Sequence, residues 1–221
     1  VVLLFASVFF LQRNRISKEK RRSEELLLNI LPEETAEELK ATGAAKAKSF
    51  DQVSVLFTDF KNFTQASEKL TPEELVAEIN HCYSEFDRII TRYGIEKIKT
   101  IGDSYMCAGG IPTPDPSATL KMIAASFDII EYLNKWNEQR ASIGLKPWEL
   151  RIGIHVGPLV AGVNKKKKYA YDIWGSTVNI ASRMESAGEP GQVNISSSVY
   201  DIIKNYYDCL YTGKISAKNI G

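Results

Sequence analysis

Apolar and polar residues are arranged in three different ways along the 221-residue chain. Val1 to Leu11 is almost wholly apolar and runs directly into Arg13, Arg15, Lys18, Lys20, Arg21 and Arg22. Residues 16 to 42 set Leu26, Leu27, Leu28, Ile30, Leu31 and Leu39 among Lys, Arg and Glu. That mixture predicts a helix with one apolar face, kinked or restarted at Pro32. From Ser49 onward, short alternating runs trade places with longer helical periods, the texture of an α/β or α+β domain.

Within that third region Val53, Val55 and Phe57 alternate as a strand. Thr71-Pro72-Glu73-Glu74 is a capping box with proline at the first helical position. The helix it starts would bury Leu75, Ile79, Cys82 or Tyr83, Phe86 and Ile90. Two short strands follow, Ile95 to Thr100 and Ser104 to Ala108, joined at Ile101-Gly102-Asp103. Asp115-Pro116 opens a helix expected to carry Leu120, Ile123, Phe127, Ile130 and Leu133 inward. Leu150, Ile152, Ile154 and Val156 predict a half-buried strand, turning at Gly157-Pro158 into a second one from Leu159 to Val163. Ser176 is expected to cap a helix that runs to about Ala187, and His155 reads as structural.

The N-terminal texture admits two readings. A membrane crossing needs about 20 apolar residues, and the opening stretch supplies roughly half of them. It is either a buried core helix or the inner end of a truncated transmembrane helix, and the basic flank favours the second by the positive-inside rule. A signal peptide would carry its basic residues ahead of the apolar run. Residues 1 to 14 are therefore expected to be the end of a membrane helix that places the protein at the cell inner membrane. Residues 15 to 47 would be a helical linker, either a dimer-forming signalling element or a solvated spacer, and residues 48 to 221 a cytoplasmic domain. Beginning on Val1 and ending on Gly221, the chain reads as an excerpt of a longer protein.

Composition narrows the chemistry only slightly. A formal net charge of +1 gives no overall attraction to nucleic acid, so phosphate chemistry has to come from local groups. Cys82, Cys107 and Cys209 are too scattered for a metal or disulfide framework and read as core residues in a reducing compartment.

The candidate chemistry begins with two carboxylates. Asp59 ends the first strand and Asp103 sits in the hairpin turn after Gly102. Neighbouring strand ends of this kind suit Mg²⁺, which takes one or two carboxylates plus substrate phosphates. Singly, Asp59 also reads as a cap for a helix near Lys61, and Gly-Asp as ordinary turn chemistry.

Longer segments resolve this ambiguity. Phe57-Thr58-Asp59-Phe60-Lys61-Asn62-Phe63-Thr64 resembles the first metal motif of the class III adenylyl and guanylyl cyclases, and residues 97 to 106 resemble the second. Tyr171-Asp172-Ile173-Trp174-Gly175-Ser176-Thr177-Val178-Asn179-Ile180-Ala181-Ser182-Arg183-Met184-Glu185 resembles the family's substrate-binding helix. The three matches stand in family order and at family spacing.

The resemblance implies a ferredoxin-like α+β domain, an antiparallel sheet covered by helices, lacking its last strand here and preceded by a membrane-proximal helix. It implies metal binding by Asp59, Asp103 and the Phe60 carbonyl, with two Mg²⁺ or Mn²⁺ ions per site. Asn179 would orient the ribose and Arg183 would stabilise the transition state at the α-phosphate. These two residues share a helix face, being four apart, while Val178, Ala181 and Met184 pack elsewhere. Lys167 and Lys218 match phosphate-binding lysines, although Ile220 stands where the family pattern has a further lysine.

Base choice falls to Lys99 and Asp172, a pair that in the family goes with adenine, where guanylyl cyclases tend to carry glutamate and cysteine. Adenine's acceptor nitrogens and amino donor complement a lysine and an aspartate, and guanine would oppose both. The reading is an adenylate cyclase working on ATP as a homodimer with shared sites. Guanylate cyclase, and a catalytically inactive nucleotide-sensing or dimerisation module, are the alternatives.

Overall fold

The computed structural model of the protein describes residues 2–61, 63–68, 70–164 and 169–215. Its elements in chain order are α1 (Val2–Leu28), α2 (Glu33–Thr42), β1 (Lys48–Lys61), α3 (Phe63–Ala66), α4 (Pro72–Arg92), β2 (Glu96–Ile101), β3 (Ser104–Gly109), α5 (Ala118–Ser142), β4 (Glu149–Asn164), β5 (Ala170–Trp174), α6 (Ser176–Ser186), β6 (Val193–Ile195) and α7 (Ser197–Ile203). They form two compact units, Val1–Ala47 with Gly162–Tyr171, and Lys48–Ala161 with Asp172–Gly221.

In the first unit the apolar start and the basic flank belong to one helix, α1. Pro32 restarts the chain as α2, for which it is the N-cap. Gly43 closes α2 in the left-handed region at φ 71°, where a residue without a Cβ meets no steric penalty. Lys40 reaches back to Glu24 at 2.8 Å. Among the described residues no helix is long and apolar enough to cross a membrane.

The second unit is built on a sheet of order β2-β3-β1-β4-β5, with β6 pairing parallel to β4. The β1–β3, β1–β4 and β2–β3 pairs are antiparallel. On one face Leu56, Phe60, Tyr105, Ile152 and Ile154 meet Phe86 and Ile90 of α4, Met122 and Ile129 of α5, and Val199 of α7. Both halves of the capping box form at the start of α4, where the Thr71 hydroxyl accepts from the Glu74 amide and Glu74 accepts from the Thr71 amide. Cys82, Tyr83, Phe86, Ile89 and Ile90 are its buried stripe, with Leu75 and Ile79 partly covered.

Helix α6 covers the other face, and this corrects the reading of β4. The strand runs unbroken through Gly157-Pro158 and is buried on both sides from Ile152 to Val156. Pro158 falls opposite the shift in the β1–β4 register between Phe50 and Val53, where a missing N–H costs no regular ladder bond. Gly157 gives room to Thr177, whose hydroxyl donates to the Pro158 carbonyl at 2.6 Å. His155 is buried beside Ser196, at 2.7 Å from its hydroxyl.

Three further expectations give way, the first at Cys209, which is exposed while Cys82 and Cys107 are buried. The N-cap of α6 is Gly175, and Ser176 is its first residue. Phe127 is 49% exposed, its ring tilted against that of Tyr207, while Met122, Ala125 and Ile129 take inward positions of α5.

Gly153 marks the closest approach of α6 to the sheet, since a Cβ there would stand 1.8 Å from the Glu185 nitrogen. Backbone cannot yield as a side-chain end can. Gly153→Ala should therefore destabilise the domain by about 3 kcal/mol or more, at the upper end of overpacking costs. Urea unfolding measures this, and a change below about 1 kcal/mol would show that α6 is free to move off the sheet.

Candidate active site

The β1–β3 and β1–β4 registers place Asp59 between Ser104 and Arg151 on neighbouring strands. Its two carboxylate oxygens are both engaged: Oδ1 accepts from the Ser104 hydroxyl at 2.9 Å and Oδ2 from Arg151 Nη2 at 2.8 Å. Asp59 is thus a residue of the sheet, in β1. Asp103 lies in the two-residue turn between β2 and β3, made possible by Gly102 at φ 64°. It is half-buried, and burial raises its carboxyl above the ordinary range, helped by the negative charge of Asp59.

Phe60 follows Asp59 with its ring fixed between Tyr83 and Trp148, at centroid distances of 6.3 and 5.2 Å. Tyr83, buried near both aspartates, has its ionisation pushed far up, first by burial and then by the charges of Asp103 and Asp59. Two carboxylates that feel each other's charge form a hard-oxygen donor set suited to a small divalent cation. No group of three or more His, Cys, Asp or Glu side chains among the described residues is arranged around a metal.

Lys99 and Asp172 come together across 73 residues. Lys99 Nζ donates to both Asp172 oxygens, at 2.7 and 2.9 Å, and the Ile173 amide adds a bond to Oδ1 at 2.9 Å. The aspartate is the better buried of the two, with 16% of its side chain exposed against 42% for the lysine.

On α6 the buried positions are Thr177, Ala181 and Glu185, a stripe at intervals of four, with Val178 and Met184 only half-buried. Asn179 and Arg183 are offset by two residues from that stripe. They consequently face away from the sheet, Asn179 exposed and Arg183 half-buried. Lys167 and Lys218 lie outside the described residues.

Arg151 and Glu185 join the cluster without being visible in the metal motifs. Arg151 Nε stands 2.8 Å from Glu185 Oε1, so one guanidinium serves carboxylates on β1 and α6. Burial raises the Glu185 carboxyl, with Arg151 opposing that shift. Strand alternation puts Arg151 on the face opposite Leu150 and Ile152, and its partners there are set by strand register.

The profile of the adenylate and guanylate cyclase catalytic domain matches residues 45–221. An adenylate cyclase of Mycobacterium tuberculosis is 38% identical over 204 residues, covering 92% of this chain and 45% of that protein. A receptor-type guanylate cyclase of Caenorhabditis elegans is 38% identical over 197 residues, 89% of this chain and 17% of that protein. The chain thus spans less than half the length of these curated relatives.

Among solved structures, the adenylyl cyclase CyaB from P. aeruginosa superposes with a TM-score of 0.74 at 30% identity, over 79% of this chain and 90% of that one. The catalytic core of a rhodopsin-guanylyl cyclase with converted specificity, in complex with ATPαS, gives 0.73 at 34% identity, over 80% and 94%.

Proposed function

The chain belongs to the adenylate and guanylate cyclase catalytic domain family, and from that premise we propose that it converts ATP to 3′,5′-cyclic AMP and pyrophosphate. The observation that carries the choice of base is the Lys99–Asp172 pair. Asp172 is held by its own neighbour's amide, so the two side chains form a fixed donor and acceptor. Adenine offers an acceptor at N1 and a donor at N6, which this pair can satisfy. Guanine reverses both, and a buried mismatch of that kind costs selectivity heavily.

The remaining residues have distinct tasks. Arg183 supplies a fixed positive charge where the five-coordinate phosphorus gathers negative charge. Asn179, one turn away, holds the ribose so that its 3′-oxygen faces the α-phosphorus. Asp59, Asp103 and the Phe60 carbonyl would hold Mg²⁺ or Mn²⁺, which when bound would acidify the 3′-hydroxyl and offset the charge of the departing pyrophosphate.

The sites are shared between two copies of the chain. Support comes from α6, where Glu185 points toward the sheet face carrying Asp59 while Asn179 and Arg183 point away from it. A nucleotide touching both sets is then best served by Asp59 of one copy and Arg183 of another.

Incubation with ATP or GTP and Mg²⁺ or Mn²⁺, followed by mass identification of the cyclic product, tests the base choice. Cyclic AMP should dominate by about a hundredfold. Similarity to a guanylate cyclase at 38% identity makes cyclic GMP the competing outcome, and its dominance would overturn the reading. Replacing both Lys99→Glu and Asp172→Cys should cut ATP use by about a hundredfold; undiminished ATP preference would remove this pair from specificity.

A further inference from the structure

We propose that Arg151 is a built-in counter-cation for Asp59, a positioning residue that holds this carboxylate and helix α6 until a divalent cation displaces it. The inference rests on reading Asp59 as a metal ligand. Arg151 sits directly across the β1–β4 pair from Asp59, so the backbone register rather than a flexible side chain sets their meeting. Its guanidinium donates from Nη2 to Asp59 Oδ2 at 2.8 Å, and its Nε stands 2.8 Å from Glu185 Oε1 as a charge contact without hydrogen-bond geometry.

Without Arg151, two carboxylates on opposite sides of the α6–sheet contact would stand together uncompensated. Asp59 and Arg151 keep only about a fifth of their side-chain surface exposed (21% and 22%), and Glu185 keeps 7%. In such surroundings unpaired charge is costly.

An arriving divalent cation changes the balance. It competes for the lone pairs of Asp59 and repels the guanidinium. Arg151 has somewhere to go, because the backbone that carries Glu185 is held against the sheet beside it. That residue's backbone is pressed against Gly153, leaving no space even for a Cβ. The displaced guanidinium remains paired, and Ser104 keeps its bond to the other oxygen of Asp59 without moving. Exchange between Arg151 and a metal therefore strands no buried charge. Its effect is to make the nucleotide-free site a weaker metal binder than its carboxylates alone would be.

The test is titration of the full 221-residue chain with Mn²⁺ alone, in the absence of nucleotide, with free ion read by electron paramagnetic resonance. Arg151→Gln should bind Mn²⁺ about tenfold more tightly than the wild type, the scale expected from removing one nearby, partly screened charge. Arg151→Lys, which keeps the charge, should stay within about threefold of the wild type. A merely structural arginine would give weaker or unchanged binding in Arg151→Gln, and that result overturns the proposal. Asp59→Ala should abolish the binding. If Mn²⁺ affinity survives in Asp59→Ala, the reading of Asp59 as a ligand fails, and the inference with it. Should Arg151→Gln not fold by circular dichroism, Glu185→Gln decides the matter. It leaves the guanidinium wholly to Asp59 and should weaken Mn²⁺ binding by about threefold, while unchanged or tighter binding overturns the proposal.

Discussion

Replacing Asp59 or Asp103 with alanine should lower the rate of ATP cyclisation by about a thousandfold or more while leaving the domain folded. The size follows from the reaction. With one carboxylate gone, the cation that offsets charge on the triphosphate loses a hard ligand that the described residues do not replace. The fold should survive for reasons specific to each position. Asp103 is a half-buried turn residue whose backbone turn depends on Gly102. Asp59 is more deeply involved, but its removal leaves Arg151 with Glu185 and frees only the Ser104 hydroxyl. Asp59→Asn, which keeps the shape and the Ser104 partner, should be nearly as inactive as Asp59→Ala. Turnover measured at saturating Mg²⁺, beside thermal midpoints for each variant, checks this. Near-normal turnover in either alanine variant would show that the aspartates do not hold the metal.

How much of this was legible beforehand differs from element to element. Helix α4 was readable because its start is written in adjacent residues, with Thr71 and Glu74 capping one another around Pro72. The β2–β3 hairpin was readable for the same reason, since Gly102 occupies the one backbone conformation the turn requires. At Gly157-Pro158 the local signal misled. That dipeptide reads as a turn, yet its glycine makes room for Thr177 and its proline faces a register shift in β1. Both causes lie in distant segments.

The same division runs through the site. Asp59, Asp103, Lys99 and Asp172 were singled out by their motifs, and the structure brings Lys99 against Asp172. Arg151 was not singled out, because its partners Asp59 and Glu185 are fixed by strand register and by the fit of α6 against Gly153. Helix periodicity correctly put Asn179 and Arg183 on one face. It did not tell which neighbours were inward, and Thr177 and Glu185 took places expected for Val178 and Met184. Polar residues can fill a buried stripe when each has a partner, as Thr177 has in Pro158 and Glu185 in the Ser186 hydroxyl and the charge of Arg151.

The central claim is that an active site is assembled from two chains, and restoring activity by mixing two dead variants tests it most directly. Asp103→Ala homodimers have both sites broken on the metal side, and Arg183→Ala homodimers have both broken on the substrate-helix side. Each preparation alone should be nearly inactive. In a mixed dimer one site collects both defects, while the other joins an intact Asp103 to an intact Arg183. With random exchange about half of the dimers are mixed and each has one good site of two, so roughly a quarter of wild-type activity should return. Subunit exchange is verified separately with differently labelled chains. Recovery near that level is the predicted result; no recovery with exchange demonstrated would contradict it, because a site contained in one chain leaves every copy defective.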